Sequence, residues 1–133
     1  MTNEHIDLAI INRAKEDNVK LVQLQFTDIN GNIKAVTIPV ERFPESIEKG
    51  IWFDGSSIEG FTRICESDMY LKPDTSTYAL LPWETEEATA RLFCDVYMPD
   101  GSPFEGDPRY ILKRAIKNAR AMNFEYNVGP ELE

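Results

Sequence analysis

The sequence predicts an α+β fold, in which several short strands lie among helices. Three observations carry this expectation. Val22, Leu24 and Phe26 alternate with Gln23, Gln25 and Thr27, the period of a strand with one buried face. Apolar residues recur at helical spacing ahead of that strand, over residues 3–17. A break rich in proline and glycine at 98–107 separates this region from another helix.

The elements follow in order. In the first helix Ile6, Ala9, Ile10 and Ala14 mark an apolar side beside Asp7, Arg13 and Lys15, with His5 on the exposed side. After the first strand, Asp28-Ile29-Asn30-Gly31 supplies residues that tolerate positive φ, and 33–40 returns as the second strand of a hairpin. Residues 41–49 read as a short helix ended by Gly50. The run Phe53-Asp54-Gly55-Ser56-Ser57-Ile58-Glu59-Gly60-Phe61 places two glycines, two serines and two acids between bulky residues, which reads as a shaped loop. Strands are then expected at 69–71, 78–81 and 90–97, for a total of five. A domain boundary is placed at the 98–107 break. Beyond it Asp107 as N-cap and Pro108 at the first helical position start a helix with Ile111, Leu112, Ala115, Ala119 and Met122 on its buried face. Residues 126–133 look like an opening strand interrupted by Gly129-Pro130, and the stop without a cap or turn resembles a truncation.

At 133 residues the chain fits one domain, or one small domain and the start of another, with a real core. Its net charge of −9 sets nucleic acid and anionic membranes aside as partners, because phosphate-rich surfaces need clustered Lys or Arg. Most of the acids are expected to be a solvated surface. Cys65 and Cys94 are not spaced as a metal or redox pair and read as buried free thiols. No stretch is apolar enough to span a bilayer, so the cytoplasm is the expected compartment.

His5 is the only histidine, which removes a histidine metal cluster and a serine–histidine triad from consideration. The glycines form no phosphate-cradling loop of either common type. Trp52, Phe53, Phe61 and Trp83 could line a pocket, although core packing is the commoner use of such residues. Two candidate sites remain. Glu131 and Glu133, two apart in a strand, would project from one face about 6–7 Å apart and could share a hard cation such as Mg²⁺ or Mn²⁺. On spacing alone such a pair is more often a solvated strand face. Asp54, flanked by Gly55 and two hydroxyls, could hold a small cation or lower the pKa of a bound amine. The plainer reading is an Asx turn in which Asp54 accepts from the amides of Ser56 and Ser57.

Five stretches taken in order change these odds. They are Leu24-Gln25-Phe26-Thr27-Asp28, the Phe53 to Phe61 loop, Glu66-Ser67-Asp68-Met69-Tyr70-Leu71-Lys72-Pro73-Asp74, the run from Pro99-Asp100-Gly101 to Asp107-Pro108-Arg109, and Gly129-Pro130-Glu131-Leu132-Glu133. In this order and spacing the chain resembles the bacterial glutamine synthetases from Val19 to its last residue. The resemblance implies a β-grasp domain over 1–103 and, over 104–133, the first helix and strand of a much larger catalytic domain. It implies a ligase in which ATP phosphorylates the γ-carboxylate of glutamate and ammonia displaces the phosphate, with Mg²⁺ or Mn²⁺ neutralising the phosphoryl oxygens.

By the same resemblance Glu133 is similar to a ligand of the metal nearer glutamate and Glu131 to a ligand of the metal nearer the nucleotide. Asp54 is similar to the aspartate that binds and deprotonates ammonium at the neighbouring subunit's active site, and Ser57 shapes its loop. The implied partners are copies of the same chain in double hexameric rings, with glutamate and ammonium as substrates. Leu132 stands where the family often has proline, and Cys65, near Arg63, where polar residues are common. The chain alone is expected to be inactive. The rival expectations are a non-catalytic β-grasp interaction module and a stand-alone carboxylate metal binder.

Overall fold

The computed structural model describes residues 3–58, 60–61 and 68–131, with side chains from residue 8 onward. Expectations placed on Glu59, Arg63, Cys65, Leu132 and Glu133, and on the side chains of His5 and Ile6, lie outside the described residues.

Helix α1, Asn3–Glu16, leads into strand β1, Leu21–Thr27, whose burial alternates along its length so that Val22, Leu24 and Phe26 are buried. Its hairpin partner β2, Ile33–Pro39, pairs antiparallel from Thr27 opposite Ile33 to Leu21 opposite Pro39. The turn between them is closed by Asp28, buried beneath it. Its carboxylate accepts from the amides of Asn30 and Asn32, both at 2.9 Å, and from the Asn32 side chain at 3.1 Å. Gly31 in that turn has φ +84°, the left-handed region that glycine enters without steric cost.

A single turn of 3₁₀ helix, Val40–Arg42, opens α2, Phe43–Lys49, which ends at Gly50 with φ +75° and ψ 175°. This backbone region is almost confined to glycine. A Cβ built there would lie 2.8 Å from the Leu71 carbonyl oxygen. Gly50→Ala is therefore expected to destabilise the chain by roughly 1–3 kcal/mol from the backbone alone, with the steric contact adding to it. Chemical denaturation of the variant checks this.

Strand β3, Ile51–Asp54, follows directly and pairs antiparallel with β4, Asp68–Pro73. The expected shaped loop thus starts later than the sequence suggested. Ile51, Trp52 and Phe53 hide the strand because all three are apolar, so no alternation is visible, yet Ile51 is buried while Trp52 is exposed. The strand expected at 78–81 shrinks to β5, Ala79–Leu80, because Thr75–Thr77 ahead of it forms a 3₁₀ turn capped by Asp74. The last strand, β6, Thr89–Tyr97, runs parallel to β1 along its first half and antiparallel to β5 and β4 on its other side. The described residues thus form a six-stranded sheet in the order β2-β1-β6-β4-β3, with β5 attached to β6.

One face of the sheet carries the core. Val22, Leu24, Met69, Leu71, Leu92 and Val96 meet Phe43 of α2 and Ala14 of α1 there. In α1 the inward residues are Ile10, Ile11 and Ala14, whereas Ala9, expected among them, is exposed. Cys94 is buried and free, as expected of it. Phe61 is in the core and Phe53 packs on it, but Trp52 and Trp83 are exposed and do not serve the packing role expected of them.

Helix α3, Pro108–Ala121, departs most from expectation. Its cap is as foreseen, with Asp107 accepting from the Arg109 amide and Pro108 in the first turn. Its apolar side is not buried, since Ile111, Leu112 and Met122 are 52%, 48% and 62% exposed. The helix is tied to the opposite face of the sheet through Arg109 and Lys113, so its polar flank approaches the strands while Ile111 and Leu112 on its apolar flank stay exposed. Residues 124–131 form no strand either. Phe124, Tyr126 and Val128 are exposed, and no neighbouring strand among the described residues pairs with them.

Candidate functional site

Asp54 is the last residue of β3, an edge strand, and it caps the 3₁₀ turn Gly55–Ser57. One carboxylate oxygen, Oδ1, accepts from both the Ser56 amide at 2.9 Å and the Ser56 hydroxyl at 2.6 Å. The Ser57 hydroxyl donates to the Asp54 main-chain carbonyl at 3.3 Å. The Asx turn is therefore present, with both carboxylate bonds coming from Ser56 and Ser57 bracing the main chain. Asp54 and Ser57 are brought together in this way, and Oδ2 has no hydrogen-bond partner among the described residues.

The Ser56 hydroxyl, and then its amide, hold the Asp54 carboxyl below the usual carboxylate value of 3.8. Because its pKa is depressed in the folded state, the bonding to Ser56 supports the turn above that value and is lost as pH falls through the Asp54 pKa. Replacing Ser56 by Ala is expected to move the Asp54 titration midpoint back up towards 3.8, which carboxyl-detected NMR checks.

Two further residues stand beside Asp54, one that sequence reasoning did not single out and one, Trp52, that it named only as possible pocket lining. Asp68 is its direct cross-strand partner on β4. Trp52, two residues earlier on the same strand and so on the same face, is exposed and packs its ring against Tyr70 at 5.2 Å. Pairing register was the missing signal, since it is set across the sheet and is not written in local spacing.

Of the other candidate pair, only Glu131 falls among the described residues. Glu131 is exposed in the irregular stretch after α3, Glu133 is outside the described residues, and no bond or ion pair joins Glu131 to Asp54 or Ser57 among the described residues. No group of three or more His, Cys, Asp or Glu able to hold a metal occurs among the described residues. Glu131 alone does not fit a divalent ion that takes six or more oxygen ligands, so the described residues by themselves do not make a metal centre.

The conspicuous polar cluster lies elsewhere, where two of the motif stretches meet. Arg109 Nε donates to Asp95 at 2.9 Å while its guanidinium also pairs with Asp74, and Lys113 reaches Asp95 at 2.6 Å. Asp107, fully buried, accepts from the Val96 amide of β6 at 3.1 Å and from the Arg109 amide at 3.0 Å. Burial pushes the Asp107 carboxyl up, and the two amides oppose that shift. This network joins α3 to the sheet, so Asp74, Asp107 and Arg109 act in architecture.

Comparison with known proteins gives a consistent picture. The sequence profile described as glutamine synthetase, beta-grasp domain, matches residues 18–99. The chain is 56% identical over 125 residues to the glutamine synthetase of Methanosarcina mazei, covering 93% of this chain and 28% of that protein. It is 57% identical over 120 residues to that of Thermotoga maritima, covering 90% of this chain and 27% of that protein. The fold is similar to that of the GmaS/ADP complex, with 25% identity and a TM-score of 0.77 over 85% of this chain and 26% of that one. It also matches the Plasmodium falciparum glutamine synthetase determined by cryo-electron microscopy, with a TM-score of 0.77 at 24% identity over 92% of this chain and 23% of that one. The chain thus spans little more than a quarter of the length of these curated relatives.

Proposed function

Because the chain belongs to the glutamine synthetase family through its β-grasp domain, we propose that it works as the amino-terminal part of an ATP-dependent glutamate–ammonia ligase. In this reading residues 1–103 form the β-grasp domain and 104–133 begin the catalytic domain, a division supported by the end of the family match at residue 99. Asp54 binds ammonium at the active site of an adjacent copy of the chain and accepts the proton that nitrogen must lose before it attacks. Ser57 holds the loop in shape. Glu131 and Glu133 supply two carboxylates to Mg²⁺ or Mn²⁺, whose other ligands come from the remaining length of the relatives' fold.

The observation that carries this proposal is the loop at Asp54. An ionised carboxylate stands at the sheet edge with one oxygen locked by Ser56 and the other open, the arrangement a carboxylate needs to receive a small cation. No helix among the described residues is long and apolar enough to cross a membrane.

The test is a graft in which this chain replaces the matching segment of the Thermotoga maritima relative. The graft is expected to release phosphate only when ATP, glutamate and ammonium are all present, while the 133-residue chain alone releases none. An inactive graft that assembles normally would favour the non-catalytic interaction module instead.

A further inference from the structure

We propose that the cleft between α3 and the outer face of the sheet binds a small organic anion carrying a planar ring, of about mononucleotide size. The cleft encloses about 290 Å³ and is walled by Asp95, Tyr97 and Pro103 on the sheet side and by Tyr110, Arg114 and Lys117 on the helix side. That volume is just below the usual range for small-molecule pockets, about 300–1,000 Å³.

The cleft stays open for a physical reason. A helix laid on a sheet ordinarily fills the gap with apolar side chains. Here the ties from Arg109 and Lys113 to Asp95, and from Asp107 to the Val96 amide, hold the polar flank of α3 over β6. Tyr110, Lys113, Arg114 and Lys117 occupy positions i, i+3, i+4 and i+7, so they share that flank.

The charges favour an anion. Three cations line the cleft against two acids; Lys113 is paired with Asp95, which Arg109 also holds, and Asp107 is held by two main-chain amides, which leaves Arg114 and Lys117 to face a ligand. Arg114 and Lys117 form no ion pair among the described residues. Arg114 lies 5.8 Å from the Tyr110 ring centroid, so its guanidinium is poised beside an aromatic face. A guanidinium and an ammonium on one flank suit the oxygens of a phosphate or carboxylate.

The rings favour a planar group. Tyr97 is stacked on Tyr70 at 5.3 Å with 16° between planes, which fixes its orientation and leaves it half-buried at the cleft wall. Tyr110 lines the same space from the helix. Burial raises the Tyr97 hydroxyl, so it stays a neutral donor at working pH.

Calorimetric titration of the 133-residue chain with AMP, adenosine and ribose 5-phosphate tests the proposal. AMP is expected to bind about tenfold or more tightly than either half-molecule, because only AMP engages both the ring and the charge elements. The double variant Arg114→Glu, Lys117→Glu, at exposed positions, is expected to weaken AMP at least about tenfold with an unchanged thermal midpoint. Tyr110→Ala is expected to weaken AMP and leave ribose 5-phosphate as it was. The absence of AMP binding, binding by adenosine equal to that of AMP, or full binding by the charge-reversed variant would each overturn it.

Discussion

In the grafted enzyme Asp54→Asn is expected to lower ligase turnover about 10²–10⁴-fold, the range for removal of a positioned base, while the thermal midpoint stays where it was. The substitution is chosen for what it preserves. An Asn carbonyl accepts from the Ser56 amide and hydroxyl as the Asp54 carboxylate does, so the turn keeps its shape and only the charge is lost. Asp54 is exposed at the end of an edge strand, so no core contact changes. The wild-type carboxyl lies below the usual carboxylate value, which keeps it ionised throughout the neutral range, and turnover should show no dependence on its titration there. Steady-state rates at saturating ATP and glutamate, with ammonium varied, measure the effect. A variant that keeps most of its turnover would remove Asp54 from the chemistry.

Phe43→Ala is expected to cost about 3–5 kcal/mol, as for other buried aromatic truncations, a large part of the roughly 5–15 kcal/mol that holds a typical domain together. Phe43 is the first residue of α2 and is fully buried among the sheet residues. Its carbonyl also receives the buried Ser46 hydroxyl at 2.7 Å, so the cavity would open beneath the first turn of the helix. From there α2 runs through Gly50 directly into β3 and Asp54, and loosening the helix loosens the strand that presents the loop. Urea denaturation of the 133-residue chain reads the loss, and a cost under about 1 kcal/mol would mean the site collapses around the smaller side chain.

Much of this fold was legible because its signals are local. Alternation gave β1, strand propensity between turn signals gave β6, the turn residues gave the hairpin, and Asp107-Pro108 gave the start of α3. The failures have a common cause. Ile51-Trp52-Phe53 conceals β3 because an edge strand can leave a tryptophan exposed, and periodicity alone cannot separate that from a buried run. The apolar flank of α3 marked a surface correctly but not its partner, since amphipathic spacing says that a side needs covering without saying what covers it. At the candidate site the Asx turn at Asp54 could be read from Asp-Gly-Ser-Ser, but the opposition of Asp68 could not, because it follows from strand register. The roles given to Asp54, Glu131 and Glu133 came from the family motifs. The geometry adds to them an exposed, ionised carboxylate held by Ser56.

The central claim, that this chain gives Asp54 to an active site it does not itself complete, is tested most directly by complementation. Two inactive grafts, one carrying Asp54→Asn and the other Glu131→Gln with Glu133→Gln, are unfolded, mixed and reassembled together. Sharing between subunits predicts that the mixture regains ligase activity, because some sites combine an intact Asp54 from one copy with intact glutamates from its neighbour. If the mixture stays as inactive as either parent while reassembling to the same size, Asp54 and the glutamates serve one site within one chain and the account is wrong.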